Sequence, residues 1–192
     1  LSKDEINEKI NLGLKPHWRF RLEDSMINWN DLIKGQVKFD SKHLSDPILI
    51  REDGSLLYHL PSVIDDIDEE ITHIIRGEDH ISNTAFHIQI FKALGAEPPQ
   101  FAHHPFLTDL EGKGFGKRIG SLSIENLRSE GYEDISIINY LLNIGSSEDI
   151  KPETKLDNII SNFDIKNISS SSVKFSDQVL KSLNSDLLKI YN

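Results

Sequence analysis

Between Ile71 and Thr108 the sequence changes its hydrophobic period twice, and that change constrains the fold more than any other feature of the chain. ITHIIR is a β-branched run that reads as a strand, and RGED makes its exit turn. A helix then runs to Leu94, with Ser82 or Asn83 as the expected cap and Gly95 at the C′ position. Pro98 and Pro99 break the chain, and FAHHPFLT reads as another buried strand. Strand, helix and strand over this length make a βαβ unit, whose crossover is expected to be right-handed. Ligands gather beyond the carboxyl ends of strands in such units. Two loops lie just past such ends: RGEDH, and the stretch GKGFGKRIG at residues 112 to 120.

The flanking segments predict α/β structure followed by all-α structure. Leu1 to about Ile10 has helical periodicity, ended by Gly13 and Pro16. His17 to Asp40 reads as short, half-buried strands. PILIRE and SLLYHL flank Asp53-Gly54, which predicts a hairpin with a two-residue turn whose central positions both need positive φ. Leu60 to about Glu69 predicts a short helix. After Ser123 the pattern is helical throughout: Ser123 to Glu130 stopped by Gly131, Asp134 to Ile144 stopped by Gly145, then Leu156 to Asn162 and Ser176 to Tyr191. The SSSS run at Ser169 to Ser172 is expected to be a linker in which nothing packs.

Composition narrows the classes. No apolar run approaches the roughly 18 residues of a membrane span, and no leader for export opens the chain. Cysteine is absent, which removes disulfides and thiolate metal sites and fits a reducing compartment. Asp and Glu number 31 against 21 Lys and Arg, a formal charge of −10, so nonspecific coating of nucleic acid such as DNA is disfavoured. A local basic patch that meets RNA remains compatible with that balance. The chain starts at Leu1 in what reads as the middle of an amphipathic helix, so an excerpt of a longer protein is expected.

Several residues carry possible chemistry. Arg76 ends a predicted strand, where a guanidinium holds a carboxylate in a two-pronged grip, and Gly77 allows close backbone approach. Glu78 and Asp79 fit equally well as first-turn anions of the following helix. Tyr58, on the second strand of the expected hairpin, is a core or interface residue unless it shares a cavity with Arg76. His103 and His104 point to opposite faces of a strand, and His80 and His87 are too far apart for an i, i+4 metal pair, so no metal site is expected. Lys113, Lys117 and Arg118 among glycines 112, 114, 116 and 120 read either as a solvated turn or as a mobile cationic clamp for a triphosphate. The usual phosphate loop, GxxxxGK followed by Ser or Thr, is missing.

Taken together, YHLPSVIDDIDEEITHIIRGEDHISNT and FAHHPFLTDLEGKGFGKRIGSLSIENLRSEGY resemble the bacterial glutamyl-tRNA synthetases of class I, with wording closest to the alphaproteobacterial form. The resemblance runs nearly end to end, from KPHWRFRLED to SSVKFSDQVLKSLNSDLLK. It implies the second half of a Rossmann-type catalytic domain plus a helical stem-contact region. Residues 1–50 would end the acceptor-binding insertion, 51–120 would form the catalytic half, and 121–192 the stem-contact helices. The implied activity is a ligase that activates L-glutamate with ATP and Mg²⁺ and transfers it to the 3′ end of its tRNA, without a protein-bound metal. By the same resemblance Arg76 binds the glutamate side-chain carboxylate with Tyr58 beside it. Glu78, Asp79 and His80 line the ATP and amino-acid pocket, and the backbone of Leu107 meets adenine. Lys117, assisted by Arg118, stabilises the departing pyrophosphate.

The chain departs from that pattern in three places. Glycine stands at the first lysine position of the second signature, and Gly116 replaces the serine before Lys117, which removes a hydroxyl and adds backbone freedom. The first signature, His-Ile-Gly-His, does not occur in these 192 residues. On that ground the chain alone is expected not to aminoacylate. Two other readings compete: a degenerate, noncatalytic paralogue or gene remnant that keeps tRNA binding, and a small adenylating module acting on another carrier. The helices after residue 121 speak against the second.

Overall fold

The computed structural model describes residues 1–115, 123–144 and 152–191, which form two compact units. Leu1–Asp31 and Gly35–Ala102 make the first, and Leu32–Lys34 with His103–Asn192 the second.

The first unit opens with helix α1 (Lys3–Asn11), capped reciprocally by Ser2 and Glu5, so two amide donors are satisfied within one turn. Strand β1 (Trp18–Arg19) pairs antiparallel with β4 (Ile48–Ile50). Between them β2 (Met26–Asp31) and β3 (Gly35–Asp40) form an antiparallel hairpin with Asp31 opposite Gly35. Along β2 alternate side chains are buried, with Ile27, Trp29 and Asp31 inward, as a half-buried strand requires. Helix α2 (His59–Asp68), strand β5 (His73–Gly77), helix α3 (Ile81–Ala93) and strand β6 (Gln100–His104) follow. The sheet order is β3-β2-β6-β5, with β2 and β6 parallel at Asp31 and Phe101. Ile27, Val63, Ile88, Ile90, Phe91 and Phe101 form its core.

Three local expectations are corrected here. The Asp53-Gly54 turn has positive φ only at Gly54 (84°). Arg51 N–H bonds the Ser55 carbonyl at 2.9 Å, Gly54 N–H bonds the Arg51 carbonyl at 2.9 Å, and the Asp53 carboxylate accepts from Ser55 N–H. These bonds close a three-residue loop with glycine in the left-handed position. The second strand of that hairpin shrinks to one bridge, Ile50 to Leu56, because Val63 and Ile67 need a helical period to reach the core. Tyr58 therefore sits at the N-cap of α2, not on a strand. Helix α3 starts earlier than Ser82 or Asn83: His80 is its N-cap, and a short 3-10 turn at Glu78–His80 leads in. Its end is as expected, with Gly95 at φ 78° and Ala96 N–H bonded to the Phe91 carbonyl.

In the second unit β7 (Leu107–Thr108) pairs parallel with β8 (Val173–Lys174). FAHHPFLT is thus two strands in two sheets, separated at Pro105, whose missing N–H interrupts a ladder. Helices α4 (Ile124–Ser129), α5 (Asp134–Asn143), α6 (Leu156–Asn162) and α7 (Asp177–Tyr191) complete the unit. Ser123 caps α4, Gly131 follows it at φ 84°, and Gly145 lies outside the described residues. Leu180, Leu183 and Leu187 place one stripe of α7 against Leu127, Ile135, Tyr140 and Phe175. The serine run leads directly into β8 and the buried Phe175, a pairing 66 residues distant that local pattern does not reveal. No helix among the described residues is long and apolar enough to cross a membrane.

Candidate functional site

The site of the first unit is built where β5 ends and α2 and α3 begin. Arg76 emerges from the carboxyl end of β5, half-buried. Its Nη1 donates to the Tyr58 hydroxyl at 3.2 Å and its Nη2 to Thr84 Oγ1 at 2.6 Å. Thr84, fully buried on the first turns of α3, passes its own hydroxyl proton to the His80 carbonyl at 3.2 Å. Two acceptors on two different helices thereby fix the plane of the guanidinium fork.

Electrostatics follow from burial. Removal from water pulls the Arg76 guanidinium below its usual range, while Tyr58, Asp66 and Asp79 favour its charged form. Burial raises the Asp66 carboxyl, and the nearby Arg76 cation opposes that rise. His80 accepts from the Asn83 amide at Nδ1 (3.0 Å), leaving Nε2 3.7 Å from the Asp79 carboxylate. Glu78 and Asp79 lie in the 3-10 turn, Asp79 exposed and Glu78 half-buried.

Behind Tyr58 lies a set of rings that sequence reading missed. His59 Nδ1 and His87 Nε2 meet at 3.1 Å, although 28 residues separate them. The Tyr58 ring packs 5.3 Å from His59, 5.7 Å from His87 and 6.0 Å from His80. Phe86 closes edge-on against His59 at 4.6 Å. His87 is fully buried, and burial, followed by the Arg76 charge, pulls its imidazole down to about 3. His59 is shifted the same way for the same leading reason. A cavity of about 370 Å³ lies beside this set, lined among others by Arg19, Asp46, Tyr58 and His59. The signal for Thr84 and His87 was present as polar residues which, with Gln89, interrupt the apolar run TAFHIQIF; that for His59 was not.

The other candidates belong to the second unit. Leu107 is on β7, opposite Val173, and packs on that unit's core. The glycine-rich stretch begins with a closed turn: Asp109 N–H bonds the Lys113 carbonyl at 2.8 Å, Gly112 has φ 86°, and Thr108 bridges Gly114. Gly112 and Gly114 thus serve a defined turn, and Phe115 packs edge-on against Phe175 at 6.0 Å. Lys117 and Arg118 lie outside the described residues. His103 is fully buried and His104 exposed, as opposite faces of β6 require. Among the described residues no three His, Cys, Asp or Glu side chains are grouped to hold a metal ion.

The family described as tRNA synthetases class I (E and Q), catalytic domain, matches residues 1–182. The glutamate–tRNA ligase of Azospirillum brasilense is 49% identical over 179 residues, 93% of this chain and 40% of that protein. Glutamate–tRNA ligase 2 of Methylobacterium sp. (strain 4-46) is 48% identical over 176 residues, 92% of this chain and 39% of its own length. The crystal structure of a glutamate tRNA ligase from Elizabethkingia meningosepticum, in complex with its amino acid, superimposes with a TM-score of 0.85 at 30% identity, covering 99% of this chain and 42% of that one. The glutamate-tRNA synthetase of Elizabethkingia anophelis gives 0.86 at 29% identity, with the same coverage. The chain thus spans about 40% of the length of the curated relatives it matches.

Proposed function

From the premise that the chain belongs to the class I tRNA synthetases for glutamate and glutamine, in their catalytic domain, we propose that it is the central part of a glutamate–tRNA ligase. Its fold is the α/β second half of the class I catalytic domain followed by helices. The observation that carries the reading is Arg76, a half-buried cation at a strand end whose fork is fixed by Tyr58 and Thr84. Such a group recognises a carboxylate by charge and by direction, and the carboxylate proposed is that of the L-glutamate side chain.

The remaining roles belong to the same proposal. Glu78, Asp79 and His80 line the amino-acid and ATP pocket, and the Leu107 backbone meets adenine. Lys117, with Arg118, stabilises pyrophosphate as it leaves. The intact enzyme uses ATP with Mg²⁺ as substrate, activates L-glutamate, and esterifies the 3′ end of tRNA in the cytoplasm. Residues 1–50 are assigned to the end of the acceptor-binding insertion and the return to the catalytic fold. Residues 51–120 are assigned to the catalytic half and 121–192 to the stem-contact helices. Close identity to ligases across most of the chain favours this reading over a noncatalytic remnant.

The test is equilibrium binding of L-glutamate to the protein as its gene encodes it, with Arg76→Ala as the variant. Loss of a charge-assisted grip worth about 2–3 kcal/mol lowers affinity by about 30- to 150-fold. An Arg76→Ala protein that binds L-glutamate as tightly as the parent refutes the assignment.

A further inference from the structure

We propose that His59 and His87 are a single-proton pair that positions Tyr58, and through its hydroxyl Arg76, for carboxylate binding. The inference rests on the reading of Arg76 given above. Two imidazole nitrogens 3.1 Å apart need one proton between them: two protons repel and none leaves two lone pairs opposed. His87 Nδ1 is buried and has no hydrogen-bond partner among the described residues. An orphaned buried N–H is rarer in proteins than an under-satisfied acceptor, so the proton of His87 sits on Nε2 and is donated to His59 Nδ1. The proton of His59 then sits on its own Nε2. Both tautomers are set by a nitrogen that faces no partner.

The arrangement is a poor one for stability alone. The neighbours of His87 along α3 include Ala85, Phe86, Ile88, Ile90 and Phe91, all buried. A leucine of similar bulk would fill the space and abolish the unpartnered nitrogen. What leucine cannot do is donate to His59. That bond orients the ring on which Tyr58 packs, and the Tyr58 hydroxyl is the acceptor for Arg76 Nη1. His59 and His87 are therefore positioning residues, acting on the carboxylate through Tyr58 and Arg76.

Three variants and one spectrum decide the matter, all on the protein as its gene encodes it. In ¹⁵N-histidine spectra of the parent at about pH 6, His87 is expected neutral with its proton on Nε2. His87→Leu is expected to melt at or above the parent's Tm yet to bind L-glutamate about tenfold more weakly, the size of one lost hydrogen bond. His87→Gln, whose amide restores a donor, is expected to recover affinity to within about threefold. A proton found on His87 Nδ1, a His87→Leu variant that binds like the parent, or one that loses Tm and affinity together overturns the pair. Arg76→Ala separates the levels: if it binds L-glutamate normally, or the parent binds none, the reading of the site fails. If it loses binding while His87→Leu does not, only the pair fails.

Discussion

Two buried polar side chains, one in each unit, make opposite bargains with their surroundings. Asn139 on α5 is 1% exposed and fully engaged. Its amide donates to the Ile135 and Glu153 carbonyls at 2.7 and 2.8 Å and accepts from Glu153 N–H at 3.2 Å. His87 on α3 is equally buried, yet its ring hydrogen-bonds through Nε2 and leaves Nδ1 without a partner among the described residues. The asparagine pins a loop to a helix and needs nothing further to explain it. The histidine is a weak structural solution that gains meaning only from what stands in front of it. Asn139 is satisfied on every side, whereas the open nitrogen of His87 lies behind a cation held by Tyr58 and Thr84.

Acid is the strongest way to break the comparison. An unfolded imidazole titrates near 6.5, whereas folded His87 titrates at about 3. Between those values the unfolded chain binds the extra proton, so the stability is present in full above about pH 6.5 and is lost as pH falls toward 3. The slope is about 1.4 kcal/mol per pH unit, or about 3 kcal/mol between pH 6.5 and pH 4. His59 adds to the loss in the same direction. Urea unfolding across that range should show the slope in the parent and a flatter profile in His87→Leu.

Asn139→Ala comes next. It strands the Glu153 carbonyl and N–H and should cost about 2–4 kcal/mol by denaturant melting, with L-glutamate affinity unchanged. A matched fall in affinity would erase the distinction between the two residues. Thr84→Val keeps the shape beside Arg76 but removes the acceptor of Nη2. A loss of about 1–1.5 kcal/mol in L-glutamate binding is expected, with little change in Tm. The smallest effect is assigned to Ser123→Ala, which removes the cap of α4, whose hydroxyl accepts from Asn126 N–H. It should lower stability by about 1 kcal/mol and leave binding untouched.

The sequence announced whatever depends on neighbours along the chain. Ser123 and Gly131 around α4, Gly95 after α3 and the alternation of β2 were readable because caps, left-handed glycines and the two-residue period are local. Tyr58 was misplaced on a strand because the helical demand of Val63 and Ile67 outweighs a favourable hairpin signal. Ser82 and Asn83 looked like caps, but the 3-10 turn before them had already begun the helix at His80. The resemblance supplied Arg76 and Tyr58 as a pair. It did not supply the second acceptor Thr84 or the His59–His87 contact behind them. That contact is a tertiary fact, and so is the parallel pairing of β7 with β8.

Four loops of the chain share a device. Asp40, Asp53, Asp109 and Asp164 each accept a hydrogen bond from the backbone N–H two residues on. Such a reversal is written in the residue that starts it and needs no distant partner. In folding terms these turns can close on the nanosecond scale of short loops, before either core exists, and so reduce the search left to the strands and helices. A peptide spanning Thr108–Gly114 should populate its turn in isolation, and Asp109→Ala should abolish the Lys113 amide protection that reports it. The site, whose contacts join α2, α3 and β5, would then be assembled last, from parts whose directions were already set.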